Sequence, residues 1–303
     1  MTTTLAIDGN NLLMRSIKAA EGRVTLSSDG VWTAPLHIFI KMLSKYIKRY
    51  PPDRVVVAFD RGHRRQSAIF EGYKGNRVAP PEEEEERKTD TFWLAKEFLS
   101  LAGVFSVSVE GYEADDLISH FWFNRPKGED DLFVILSGDK DLLQLLHDDR
   151  VVQVRPQGAK ASQEQEEWRG DRVILEMGCR PEQIPYVMAL TGDSSDGIPG
   201  IPGYGIKTAV KHLAESLWDW DRLLNEPPAR LAKVDGYRDI LNRNLALVDL
   251  CLDFAPTVAH SGTIPPFSPT APLFASWNDL MHWLDTYELA TIKRELMDNT
   301  FWR

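Results

Sequence analysis

A chain of 303 residues with 43% hydrophobic side chains can bury one large core or two smaller ones. It contains no apolar run long enough to cross a bilayer, and Met1-Thr2-Thr3-Thr4 lacks the charged start and apolar stretch of a secretory signal, so a cytoplasmic location and no membrane contact are expected. Two well-separated cysteines, Cys179 and Cys251, exclude a disulfide framework and a thiolate metal site, and a net charge of −10 argues against a phosphate-rich partner unless the charges are segregated.

The first element is a short apolar run at 4–7, followed by Asp8-Gly9-Asn10-Asn11, a turn that can open a helix. The same strand-then-acid pattern recurs at 54–59, closed by Asp60, and at 132–136, closed by Ser137-Gly138-Asp139-Lys140-Asp141. Charge is indeed segregated: residues 41–77 hold ten bases against three acids, and Glu82 to Glu86 then form an unbroken acidic run that reads as a solvated helix face or mobile segment. Apolar residues at helical spacing predict a helix over 89–102, and 104–109 reads as a further strand. Strands alternating with helices predict an α/β fold with a mostly parallel central sheet and flanking helices. Ligands of such sheets bind beyond the carboxyl ends of the strands, where these acids would converge. After about residue 170 helical periods dominate, over 180–191, 208–217 and 238–249. A proline-rich stretch at 256–272 reads as a linker or wrapping loop before a last helix-like segment containing Trp277, Trp283 and Leu296.

Gly111-Tyr112-Glu113-Ala114-Asp115-Asp116 places three acids at the start of a helix, where the helix dipole alone would accept one or two of them. Asp139 and Asp141 flank Lys140, and Asp193 and Asp196 fall in a further turn. With Asp8 and Asp60 this makes nine acids, whose mutual repulsion would raise their pKa values unless cations sit among them. Oxygen donors with no recurrent His or Cys spacing favour Mg2+ or Mn2+ over Zn2+. Two such ions about 3.5 to 4 Å apart can drive phosphodiester hydrolysis.

Six segments stand in one order: Leu5-Ala6-Ile7-Asp8-Gly9-Asn10, Ala58-Phe59-Asp60, Tyr73-Lys74-Gly75-Asn76-Arg77, the acidic helix start at 111–116, Ser137-Gly138-Asp139-Lys140-Asp141, and the turn from Gly192 to Gly200. On these the chain resembles the flap endonuclease and 5′-3′ exonuclease family, similar to stand-alone phage enzymes and to the nuclease domain at the start of bacterial DNA polymerase I. The resemblance covers roughly residues 4–250. It implies that Asp8, Asp60, Glu113 and Asp115 hold one ion, that Asp139 lies between two ions, that Asp141, Asp193 and Asp196 serve the second, and that Asp116 supports the first through its waters. It also implies Tyr73, Lys74 and Arg77 near the scissile phosphate, Lys74 as a fixed cation and Tyr73 as a stacking surface for a terminal base. An arginine usual ahead of that tyrosine is displaced, with Gln66 in its place and Arg64 and Arg65 just before.

The glycine and proline turn from Gly197 to Thr208, containing Gly200, Gly203, Gly205 and Lys207, would bring backbone N–H groups to a duplex phosphate. In the resembled family it is a helix-two-turn-helix motif, here about 183–216, that often binds K+. The expected layout is a PIN-like 5′-nuclease domain at 1–175, with a helical arch at about 61–102 that admits a single-stranded 5′ arm and is mobile without DNA, and a helical duplex-binding region at 176–303. The expected activity is hydrolysis of DNA at 5′ flaps, nicks and 5′ ends by a monomer working beside replication proteins such as a polymerase and a ligase. A PIN-like ribonuclease shares the acids but does not need the duplex grip. A non-catalytic DNA-binding relative would lack acids, and none is missing.

Overall fold

Short β-branched runs build a six-stranded sheet in this computed structural model, which describes residues 2–23, 25–77, 79–125, 131–157, 166–251 and 276–298. The strands β1 (Thr3–Asp8), β2 (Arg54–Ala58), β3 (Ser106–Val107), β4 (Leu132–Leu136), β5 (Val151–Val154) and β6 (Glu167–Trp168) lie in the order β3-β2-β1-β4-β5-β6. The first five run parallel, and β6 closes antiparallel on β5. Register pairs Asp8 with Ala58 and Ile7 with Leu136, so the acids after β1, β2 and β4 leave the sheet at the same edge. The mostly parallel α/β sheet expected from the pattern is present, although 104–109 contributes only two paired residues.

Helices cover both faces. The first group is α1 (Gly9–Ala20), α2 (Ala34–Arg49), α3 (Arg64–Ile69), α4 (Glu82–Leu101) and α5 (Ala114–Phe123). The second is α6 (Gly170–Met177), α7 (Ile184–Thr191), α8 (Ile206–Glu215), α9 (Trp220–Asn225), α10 (Tyr237–Val248), α11 (Trp277–Thr286) and α12 (Ala290–Met297). The strand period of two sends Leu5, Ile7, Val55, Val57, Val134 and Leu136 into a core shared with α1, α2 and α4. Ala6, Val56, Ala58, Phe133 and Ile135 enter the opposite core with α5, α7 and α10.

Two expectations are corrected. The Trp277 to Leu296 segment is two helices, broken at Tyr287-Glu288 where Glu288 takes φ 55°. Those helices do not join a duplex-binding region: Leu280, Trp283, Leu284, Leu289, Ile292 and Leu296 are buried in the core of α1, α2 and α4. Lys41 pairs with Glu295 at 2.6 Å, Trp283 donates to Glu97 at 2.8 Å, and Ser28 N–H donates to Glu288 at 2.9 Å, which ties the pair to α2, α4 and the connection between α1 and α2.

The segment 61–102 is likewise only partly free. Gln66 and Tyr73 are buried, Arg65 reaches α10, and the second half of α4 buries Thr91, Ala95, Phe98 and Leu99. Glu82 to Glu86 form the exposed first turns of α4, where acids suit the helix dipole and pair with Arg87 and Lys88 one turn on. The proline-rich 256–272 lies outside the described residues. No helix among the described residues is long and apolar enough to cross a membrane.

Candidate metal centre and nucleic-acid interface

Each strand end is latched to the next by short polar side chains. Asp8 caps α1, accepting from Asn11 N–H at 2.8 Å, and its other oxygen accepts from Ser137 Oγ at 2.8 Å. Asn10 accepts from Asp60 N–H at 3.0 Å and Asn11 accepts from Gly138 N–H at 3.0 Å, so the β1 turn holds the ends of β2 and β4. Asp60 in turn accepts from Ala114 N–H at 2.7 Å and fixes the start of α5. Sequence reasoning quoted Asn10 and Ser137 within motifs and gave them no role. Their signal is a small hydrogen-bonding residue beside each acid.

Burial and crowding leave these carboxylates poorly neutralised. Asp8 is pushed up to about 7, chiefly by burial, with Asp60 and Asp139 adding repulsion. Burial also raises Asp60 and Glu113. Asp115 and Asp141 stand well above the usual carboxylate range, first from burial, then from Asp116 and Glu113 in one case and Asp139 and Asp193 in the other. Asp193 behaves oppositely: burial opposes its charge, but Ser195 and Lys140 together hold it below the usual range.

Asp141, Asp193 and Asp196 bring one oxygen each within 4.8 Å of one another, and buried Asp141 Oδ1 has no hydrogen-bond partner. A buried acceptor without a donor costs on the order of 1–3 kcal/mol, so the trio has the chemistry of a cation site. Asp8, Asp60, Glu113 and Asp115 do not close into a comparable group. There Lys74 Nζ and the Tyr73 hydroxyl occupy Glu113.

The basic segment folds onto the acids. Tyr73 donates to Glu113 at 2.7 Å or to Asp196 at 3.0 Å, and Lys74 N–H donates to Asp196 O at 2.8 Å while Lys74 holds φ 55°. Burial alone would depress the Lys74 ammonium, yet Glu113 and Asp196 raise it, so it remains charged. Arg77 pairs with Asp196 at 2.9 Å and remains 57% exposed. The stacking role expected for Tyr73 is corrected: the ring is 6% exposed, set edge-on to His63, and presents only its hydroxyl to the acids.

Arg65 points inward, to Asp116 at 3.3 Å and Ala246 O at 3.1 Å, beside Gln66 on the same carboxylate. Its expected place on DNA is therefore corrected to a structural one, while Arg64 is 77% exposed beside Glu110. Asp116, held by these groups and by Glu113 N–H at 3.0 Å, is committed to protein contacts.

In the glycine turn, β7 (Gly192–Asp193) pairs with β8 (Ile198–Pro199). A Cβ on Gly200 would lie 2.1 Å from Thr191 O, so this glycine serves a close backbone crossing and not the phosphate approach expected of it. Gly203 has φ 78° and its carbonyl accepts from Arg230 at 2.9 Å. Gly205 has open space where a Cβ would be, and with exposed Lys207 and half-buried Thr208 it forms the accessible N-terminus of α8.

A family model described as 5′-3′ exonuclease, N-terminal resolvase-like domain, matches residues 3–178, and one described as 5′-3′ exonuclease, C-terminal SAM fold, matches residues 179–258. The chain belongs to the 5′-3′ exonuclease family. It is 33% identical over 263 residues to a Bacillus subtilis 5′-3′ exonuclease, covering 84% of this chain and 86% of that one. It is also 33% identical over 214 residues to the DNA polymerase I of Mycobacterium bovis, covering 70% of this chain and only 23% of the polymerase. Among solved structures, the D15 protein of phage T5, co-crystallised with metal ions, shares the fold with a TM-score of 0.68 at 20% identity, covering 95% of this chain and 99% of that one.

Proposed function

We propose that the protein hydrolyses DNA phosphodiesters at 5′ flaps, nicks and 5′ ends with the help of two Mg2+ or Mn2+ ions. The observation that carries this is the trio Asp141, Asp193 and Asp196, which bring one oxygen each within 4.8 Å of one another, with one buried Asp141 oxygen left without a hydrogen-bond partner. Oxygen-only donors fit hard divalent cations. When bound, the ions supply Lewis-acid stabilisation and an activated water.

The chain's own residues do the rest. Asp141, Asp193 and Asp196 would hold one ion and Asp8, Asp60, Glu113 and Asp115 the other, with Asp139 as a further donor; Asp116 stays with Arg65 and Gln66. Lys74, placed between Glu113 and Asp196, meets the charge that develops on the scissile phosphate, and Arg77 binds a neighbouring phosphate oxygen. Arg64, Lys207, Thr208 and the N–H groups around Gly203 and Gly205 grip the duplex backbone, with K+ at that turn, which gives structure preference without base readout. The protein works as a cytoplasmic monomer beside a polymerase and a ligase.

The test is a 5′-labelled flap duplex with Mg2+. Wild type cuts it, Asp139→Asn does not, and Lys74→Ala slows kcat by about a hundredfold to a thousandfold, the scale of losing one preorganised transition-state donor. Binding without cleavage by wild type, or equal cutting by Asp139→Asn, refutes the proposal.

A further inference from the structure

α4 carries an aromatic step that the metal centre does not use. Phe59, the residue before Asp60, is fully buried and meets Phe92 edge-on at 4.9 Å. Phe92 meets Trp93 edge-on at 6.2 Å. The step is pinned to the acids at its inner end, because a Cβ on Gly9, next to Asp8, would lie 2.4 Å from the Phe59 ring. At its outer end Trp93 is 62% exposed.

Charge accompanies the rings. Lys96 Nζ lies 5.7, 5.5 and 5.7 Å from the centroids of Phe59, Phe92 and Trp93, and donates to Ser108 Oγ at 3.0 Å. No carboxylate lies within ion-pair distance of it among the described residues. Phe92 also lines a cavity of about 740 Å³ with Asn10, Met14, Arg77, Glu85 and Lys88, which leads from α4 toward the β1 turn. An exposed ring beside an ammonium that is held by a serine hydroxyl and faces no carboxylate matches a nucleotide freed from its duplex: base on the ring, phosphate on the amine. A base paired inside a duplex has no free face to offer.

We infer that Trp93 is a stacking platform for one unpaired base of the 5′ arm, with Lys96 meeting the adjacent phosphate. The inference rests on the nuclease reading of the same site and adds a preference for substrates with an arm. A docking surface for another protein is the rival use of Trp93.

The experiment compares kcat/KM on a 5′ flap and on a nicked duplex for wild type, Trp93→Ala and Trp93→Phe, then repeats it with an abasic residue moved along the arm. In Trp93→Ala the flap-to-nick ratio falls about tenfold, the scale of one lost base–aromatic stack. Trp93→Phe restores most of it. One abasic position lowers wild type by a similar factor and leaves Trp93→Ala unchanged. An unchanged ratio in Trp93→Ala, or abasic effects equal in both proteins, overturns the inference and leaves the protein-docking use standing. Wild type that cuts neither substrate refutes the nuclease reading instead.

Discussion

Asp141 shows how a single residue joins stability to activity. Its carboxylate is buried, raised well above the usual range, and carries an oxygen with no donor. Asp141→Asn removes that cost, so the metal-free variant should melt no lower than wild type. It should also lose most of the stabilisation that Mg2+ gives, which for a ligand at a hundredfold its Kd is about 2.7 kcal/mol. Thermal melts with and without Mg2+ check this, and an undiminished Mg2+ shift would remove Asp141 from the ion site. Asp8 gives a pH signature. Burial lifts its folded-state value from 3.8 to about 7, so the folded protein holds the proton more tightly than the unfolded chain does. Its contribution to stability is complete below about pH 4 and is lost as pH rises through 7. Urea midpoints of the metal-free protein should therefore fall between pH 5.5 and 7.5, and Asp8→Asn should flatten that slope.

Among the elements, the turn between α7 and α8 separates glycines by task. Gly200 sits where a Cβ meets backbone, so Gly200→Ala should destabilise by about 1–3 kcal/mol, the scale of forced overpacking. Gly205 has room, and Gly205→Ala should cost no more than about 1 kcal/mol of stability while weakening duplex binding through its place at the α8 terminus. Urea unfolding together with a duplex-binding titration separates the two, and a large stability loss for Gly205→Ala would make it another packing glycine. The last two helices carry a different lesson. Their apolar stripes were legible as helix, but a stripe does not say which surface it covers, and here it covers α2 and α4.

For the whole molecule, net charge misleads because the signs are segregated. A formal −10 coexists with a basic segment that folds across the acid cluster, and Lys74, Arg77, Arg64 and Lys207 are the cations proposed to meet phosphates. Four phosphate contacts correspond to a slope of about −4 in log affinity against log salt. Duplex binding should follow it in Ca2+-containing buffer, and tighten modestly when K+ replaces Na+ at matched ionic strength. A flat salt dependence would mean that the acidic surface dominates, and equal affinity in the two salts would remove K+ from the turn.

The sequence by itself determined the parallel sheet, the acids at its strand ends and the family, because strand period, turn chemistry and motif order are local properties of the chain. Only the tertiary structure decided the use of each basic and aromatic side chain. Tyr73 is buried because its hydroxyl meets Glu113, 40 residues on, and Asp196, 123 residues on. Arg65 is withdrawn from the surface by a carbonyl 181 residues away, which leaves Arg64 outside. The short polar latches, Asn10, Asn11 and Ser137, belong to the same class: each looks like an ordinary turn residue until strands far apart in sequence bring its partner within 3.0 Å. Contacts that close across such separations depend on packing that no local pattern encodes, and Asp141, Asp193 and Asp196 come within 4.8 Å of one another through them.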